Sequence, residues 1–299
     1  MQDEIVEGRR FDSVFLLVVF QHLVYGNRIV TWHVTQDLID DHSWRLGGTA
    51  SYAGLTAAAL GHQVGVLTSC SPELDLAPLK ELHISIIPSE HNTTFRNLQT
   101  ETGRQQLLFQ RAQPLTTEMV PEAWRNASIV HLGPVADEVD PQIYTVFSSK
   151  LLCLTPQGWL RQADNMGQVF KRKWLYSQEL LQAADAVVLS LEDLDGDEAE
   201  VETLAEVCSL LVITENAQGA RVYWNGDARR FPAPKVKLED DTGAGDIFAA
   251  CFFHRLYKTN DPWEAARFAV QIAAWSVTRR HLESIPRPQE IYQAQVEVI

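Results

Sequence analysis

The stretch Glu239-Asp240-Asp241-Thr242-Gly243-Ala244-Gly245-Asp246 runs without a break into the apolar segment IFAACFFHRLY. Glycine tolerates positive φ and lets the backbone approach a ligand closely. A helix starting near Asp246 leaves the N–H groups of Gly243, Ala244 and Gly245 unpaired and directed outward, with the positive helix end behind them. Such a turn is an anion hole, suited to a phosphoryl group whose charge must be held during transfer. Four carboxylates in the same eight residues oppose plain phosphate binding. The two features are compatible if Asp246 takes a proton from an attacking hydroxyl while Gly243–Gly245 hold the charge on the moving group. The bland alternative is a Gly-rich turn with Asp246 capping a helix.

Outside this stretch, composition narrows the classes. The 299-residue chain is 45% hydrophobic and 21% charged, enough apolar surface for a sizeable core. Its formal net charge of -14 argues against nucleic acid or an anionic membrane as the main partner. A small anionic ligand stays compatible, because a local cluster of N–H groups overrides global charge. Cys70, Cys153, Cys208 and Cys251 are far apart, with no C-x-x-C spacing. They read as reduced thiols rather than zinc ligands or a disulfide framework, which favours a cytoplasmic location. Arg9-Arg10 followed by SVFLLVVF imitates a signal peptide. The apolar run falls short of the roughly 20 residues that span a bilayer, and bulky residues follow it instead of a cleavage site. Residues 1–27 are therefore expected to be an N-terminal extension or an extra strand.

Short β-branched runs alternate with helical patterns along most of the chain. RIVTWHV (28–34), QVGVLTS (63–69), ASIVHLG, LLCLTP, AVVLSLED and LLVITEN read as strands. SYAGLTAAALG (51–61), VETLAEVCSL and PWEAARFAVQIAAWSVTRR (262–280) read as helices. Continuously apolar strands separated by helices predict a mostly parallel sheet covered on both faces, with ligands at the carboxyl ends of its strands. Two segments break the rhythm. Residues 93–112 predict a hairpin turning at Glu101-Thr102-Gly103, placed as a β lid, and ARVYWNGDARRF predicts another turning at Asn225-Gly226. No G-x-G-x-x-G follows the first strand and no G-x-x-x-x-G-K-[ST] occurs, which excludes a dinucleotide fingerprint and a P-loop.

Gly47-Gly48, leading into a small-residue helix that closes at Leu60-Gly61, precedes the D-x-T-G-A-G-D pattern of Asp240–Asp246 by roughly two hundred residues. In this order and spacing the pair resembles the ribokinase family of sugar kinases, also called the PfkB family. The resemblance covers about residues 28 to 295. It implies an α/β, ribokinase-like three-layer fold, with a mostly parallel central sheet, helices on both faces and a small β lid, in one kinase domain over 28–299. The implied donor is ATP with Mg²⁺, a monovalent cation is a further cofactor of this kind of site, and a homodimer is compatible. Asp246 resembles the catalytic base, and Gly243, Ala244 and Gly245 the hole for the γ-phosphoryl group. Asp37 resembles the aspartate that holds substrate hydroxyls, and Gly47 and Gly48 the loop beside the sugar. Thr214 and Gly219 match positions near the nucleotide. Asp240 is the motif's first aspartate, with a structural or ion-associated role, and Thr242 stands beside it on the nucleotide side.

Four positions depart from the family pattern. Tyr52 stands where an asparagine commonly contacts the sugar, and Trp32 where the first strand commonly has glycine. Ser190-Leu191-Glu192-Asp193 replaces N-x-x-E, leaving Asp193 to support the metal through water. Asn216 stands where glycine is frequent. The short span between Asp37 and Gly47 predicts a reduced lid. The expected function is an ATP-dependent kinase of a hydroxyl on a small sugar, polyol or related alcohol; PQGWLR resembles a segment of inositol kinases, and the acceptor is left open. The competing expectation is a non-catalytic ribokinase-like protein that binds a sugar or nucleotide.

Overall fold

The computed structural model describes residues 28–100, 103–174 and 178–296; the expected extension over 1–27 lies outside the described residues. Its architecture follows from a period of two in the strands. In Ala186–Ser190, Ala186 and Val188 face one interior while Val187 and Leu189 face another. Leu210–Thr214 repeats the pattern, with Leu210 and Val212 on one side and Leu211 and Ile213 on the other. All of these side chains are buried, so each face of the sheet needs a layer over it.

In chain order the first strands are β1 (Arg28–Trp32), β2 (Thr35–Leu38), β3 (Trp44–Gly47), β4 (Gln63–Cys70) and β5 (His83–Pro88). β6 (Thr94–Thr100), β7 (Gly103–Gln110), β8 (Ile129–Leu132), β9 (Leu151–Leu154), β10 (Arg161–Ala163) and β11 (Val169–Lys171) follow. The last are β12 (Ala186–Ser190), β13 (Leu210–Thr214), β14 (Ala220–Trp224) and β15 (Asp227–Phe231). The main sheet has the order β15-β14-β13-β12-β9-β8-β1-β4-β5, parallel from β13 to β5. β14 and β15 close it as an antiparallel hairpin. Asn225 and Gly226 both take positive φ at its turn, as a tight hairpin requires.

Helices α1 (Leu55–Ala59), α2 (Gln178–Ala183), α3 (Glu198–Val207), α4 (Ala244–Thr259), α5 (Pro262–Ser276) and α6 (Pro288–Val296) supply the covering layers. α1, α4, α5 and α6 enclose one core, with Phe252, Phe253 and Phe268 at its centre. α2 and α3 cover the other, which holds Trp32 and Trp159. Trp32 is fully buried edge-on to Phe147, so its bulk is absorbed in packing. All four cysteines are free and buried, and no helix among the described residues is long and apolar enough to cross a membrane.

A second sheet, β3-β2-β6-β7, forms the lid. The span between Asp37 and Gly47, read as too short for lid strands, holds two of the four. Asp40 makes this possible: its carboxylate accepts the N–H groups of His42 and Ser43 at 2.8 and 2.7 Å and tightens the turn. Thr35 then pairs with Gly47 and Asp37 with Arg45. The late helix also differs from its expected range, stopping at Ser276. The Val277 carbonyl beyond it accepts the N–H groups of Glu239 and Asp240 at 2.8 and 3.2 Å, so the end of α5 anchors the loop before α4.

Phe268 on α5 is 0% exposed in the first core. Phe268→Ala is expected to lower the unfolding free energy by about 3–5 kcal/mol, from lost transfer energy and a residual cavity, measured by denaturant unfolding.

Candidate active site

The chain order of the parallel strands reverses direction between β1 and β8, and ligands of such sheets gather in the crevice at this switch point. β1 leads through His33, held at φ 128°, into the lid. His33 is buried, its Nε2 meets the Thr93 hydroxyl at 2.9 Å, and its carbonyl accepts the Ala50 N–H at 3.2 Å. A Cβ on Gly48, at φ +81°, would lie 2.5 Å from that carbonyl oxygen. A Cβ on Gly47 would lie 2.3 Å from Asp37 Oδ2. The two glycines thus let the chain pass directly under the Asp37 carboxylate, which accepts the Thr35 hydroxyl at 2.8 Å. Asp37 is 8% exposed.

After Gly48 the chain forms a π-helical turn, Ala50–Gly54, before α1. Every residue of it is buried, and such turns are frequent at functional sites. It carries Tyr52 beneath the start of α4. Gly243, the N-cap residue, takes the left-handed conformation, φ 79° and ψ 0°. A Cβ there would stand 2.2 Å from the Tyr52 ring, so glycine is required twice, by conformation and by space. Tyr52 is 2% exposed and its hydroxyl is buried without a hydrogen-bond partner. The ring of Tyr52 forms the wall behind Gly243.

The amides that helix geometry leaves unpaired at the first turn of α4, Gly245 and Asp246, share only Gly245 with the expected set of Gly243, Ala244 and Gly245. The Ala244 N–H is bonded to the Asp241 carbonyl at 3.1 Å, which removes it from the hole. The Gly245 and Asp246 amides, at the second and third helical positions, have no intrahelical partner by helix geometry. A Cβ on Gly245 would meet nothing within 4 Å, so open space lies over these donors.

Asp246 sits at the floor of this space. Burial pushes its carboxyl up from the ordinary value to about 6, against the pull of the Thr49 hydroxyl and the Arg161 charge; Asp193 and Asp37 add to the rise. Arg161, on β10, is not among the site residues expected from the motifs. Its guanidinium donates to Asp193 Oδ1 at 2.7 Å and to Gln106 of the lid strand β7 at 3.3 Å. Asp193 Oδ2 accepts the Ser190 N–H at 3.1 Å in a capping box. Each oxygen of Asp193 thus has a protein partner, one in an ion pair and one in a helix cap. Among the described residues no group of three or more His, Cys, Asp or Glu could hold a metal ion.

In the loop before α4, Asp240 accepts the Thr242 N–H at 2.9 Å and the His281 N–H at 3.3 Å. Burial works to raise its pKa, but these bonds and the Arg45 charge outweigh it and hold the carboxylate low. The Thr214 hydroxyl donates to the Leu189 carbonyl of the adjacent strand at 3.3 Å. A Cβ on Gly219, at φ +97°, would lie 1.9 Å from the Phe231 carbonyl oxygen, so this glycine is needed for the β14–β15 crossing. Asn216 adopts φ 50°, a conformation asparagine tolerates, and donates to Glu192 at 2.7 Å.

A doubly covered parallel sheet, a β lid and a helix start of this kind define the ribokinase-like fold. The chain belongs to the pfkB family of carbohydrate kinases, whose model matches residues 77–289. The 2-dehydro-3-deoxygluconokinase of Thermoproteus tenax is 41% identical over 81 residues, 27% of this chain and 25% of that protein. The inositol 3-kinase of Zea mays is 29% identical over 233 residues, 69% of this chain and 59% of its own. The chain thus spans less than two thirds of the length of these relatives. Among solved structures, a pyrophosphate-dependent kinase in the ribokinase family, complexed with a pyrophosphate analog and myo-inositol, superposes with a TM-score of 0.75. It is 20% identical, over 89% of this chain and 99% of that one. Arabidopsis thaliana ribokinase complexed with ribose and ATP gives 0.69 at 15% identity, over 90% and 98%.

The two motif glycines are expected to respond differently to substitution. Gly243→Ala meets a left-handed backbone worth about 1–2 kcal/mol as well as the Tyr52 ring, and its melting temperature falls clearly. Gly245→Ala, at ordinary helical geometry with open space beyond, leaves stability unchanged or slightly raised. Paired thermal unfolding curves check both.

Proposed function

We propose that the protein transfers the γ-phosphoryl group of ATP to a hydroxyl of a small sugar or polyol, with Asp246 as general base. The carrying observation is the half-buried Asp246 carboxyl, raised to about 6, beneath open space at the first turn of α4. A base of this pKa is mostly ionised at neutral pH yet strong enough to take an alcohol proton as the O–P bond forms. The acceptor hydroxyl lies between Asp246 and the donor phosphate, with Asp37 orienting the remaining hydroxyls from the lid side. The Gly245 and Asp246 amides, backed by the α4 dipole, hold the charge that develops on the transferred oxygens. Arg161 keeps Asp193 neutralised beside the base and ties the lid to this wall through Gln106.

ATP is the donor in this reading, supported by family membership and by the neighbour solved with ATP. Mg²⁺ bound with the nucleotide would neutralise phosphate charge; among the described residues no group of three or more His, Cys, Asp or Glu could hold it, and no step runs through it. The polyol class is supported by the similarity to an inositol kinase over 69% of this chain. The four buried free thiols fit a reducing, cytoplasmic setting. The exposed lid residues Ile39, Leu98 and Phe109 give a second copy of the chain an apolar face to cover, and sedimentation of the full chain is expected to report a dimer.

The test is a coupled assay with Mg-ATP, and with pyrophosphate as the competing donor, over sugars and polyols. Asp246→Asn is expected to lower kcat by about 10²–10⁴-fold with donor affinity retained. Wild-type kcat/KM rises with pH through about 6 and levels above it, because the ionised carboxylate is the active form. The sign for stability is opposite. A raised carboxyl pKa means that ionising Asp246 opposes folding, so stability is lost as pH rises through the interval between 3.8 and about 6. Asp246→Asn is therefore expected to melt at or above wild type at pH 8 while being inactive. Wild-type turnover in that variant refutes the base assignment.

A further inference from the structure

Asp240 is the residue toward which a monovalent cation is expected, and its surroundings suit such an ion poorly. A bare cation is held by oxygen lone pairs. Three donors face the Asp240 carboxylate, the Thr242 N–H, the His281 N–H and the Arg45 guanidinium, and the His281 ring Nδ1 stands 3.7 Å from it. Arg45 lies on β3 directly opposite Asp37, so both side chains leave the same face of the lid sheet. Its Nη1 stands 3.9 Å from Asp240 Oδ2 and its Nη2 donates to the Thr242 hydroxyl at 3.4 Å. Nη1 also donates to the His281 ring, with Nε2 at 2.8 Å. Burial and the Arg45 charge hold His281 below its usual pKa, so the ring is a neutral acceptor near neutral pH. His281 itself is held at φ 50°, a conformation that persists in such a residue only when its neighbours impose it.

From this geometry we propose that Arg45 supplies, from the chain itself, the positive charge that a monovalent cation would bring to the loop before the anion hole. Its guanidinium binds Asp240, Thr242 and His281 into one unit and so fixes the approach of the chain to Gly243 and the first turn of α4. It acts through that loop, as a positioning residue, and the protein has no requirement for potassium or sodium. The inference rests on the kinase reading only for its kinetic consequence. The same residue also joins the two halves of the site, because β3 carries Gly47 under Asp37 on one side and Arg45 against the donor loop on the other.

The experiment measures melting temperature and, where turnover is present, kcat and KM of the full chain in choline, sodium and potassium chloride at one ionic strength. Wild type is expected to melt within about 1 °C in all three salts and to show the same kcat. Arg45→Met is expected to melt lower in choline and to regain part of the loss in potassium. Its kcat falls about 10–100-fold, the KM for the acceptor changes little, and potassium partly restores the rate. Arg45→Lys, which keeps the charge, recovers most of kcat and all of the indifference to salt. A potassium-specific rise in wild-type melting temperature or kcat overturns the proposal, as does an Arg45→Met variant that matches wild type in both salts. A wild type inactive on every acceptor counts against the kinase reading instead, while the melting series still decides the role of Arg45.

Discussion

The site is organised around one contact, the Tyr52 ring against the Cα of Gly243. It leaves no room for a Cβ where the backbone before α4 takes the left-handed conformation and enters the helix with Gly245 and Asp246 at its first turn. The contact needs a glycine on one side and a rigid, buried ring on the other. The ring is delivered by a π-helical turn whose neighbours are Ala50, Ser51, Ala53 and Gly54, small enough to seat it close to the sheet. The loop is held from behind by the end of α5 through Val277, and from the side by Arg45. The two free amides at the start of α4 are thus positioned by parts of the chain nearly two hundred residues apart.

The electrostatics follow from where water is excluded. The chain carries a net charge of -14, yet its acidic groups at the site have separate fates. Asp193 is neutralised by Arg161, and Asp240 is held ionised by donors on several sides. Asp246 has neither full pairing nor full solvation, so desolvation dominates and its carboxyl rises toward neutrality. In the proposed mechanism a proton acceptor and a phosphate-holding turn coexist because the charge on the acceptor is confined to one group that readily takes a proton.

Much of this was legible in the sequence. The continuous apolar runs AVVLS and LLVIT pointed to the doubly covered sheet, because a strand buried on both faces has no polar face to show. Asn225-Gly226 marked a hairpin, because few residue pairs take positive φ twice in succession. The D-x-T-G-A-G-D stretch pointed to a helix start with an acid in its first turn. Less legible were the groups whose role depends on a distant partner. Arg161 and Arg45 have no local signature, and the lid strands β2 and β3 were hidden because the turn at Asp40 is shorter than their pairing suggests. Tyr52 could be noticed as unusual, but only its position against Gly243 says what it does.

The sequence by itself determined the class of the fold, the location of the helix start and the identity of Asp246 as the acid beside it. These depend on periodicity, backbone freedom and residue type over short spans. Tertiary structure alone decided which amides remain free, which carboxylates are neutralised and which is raised. It also decided whether the charge beside Asp240 comes from the chain. Desolvation and ion pairing act through space, and the distances that set them arise only when the lid, the α4 turn and the end of α5 meet.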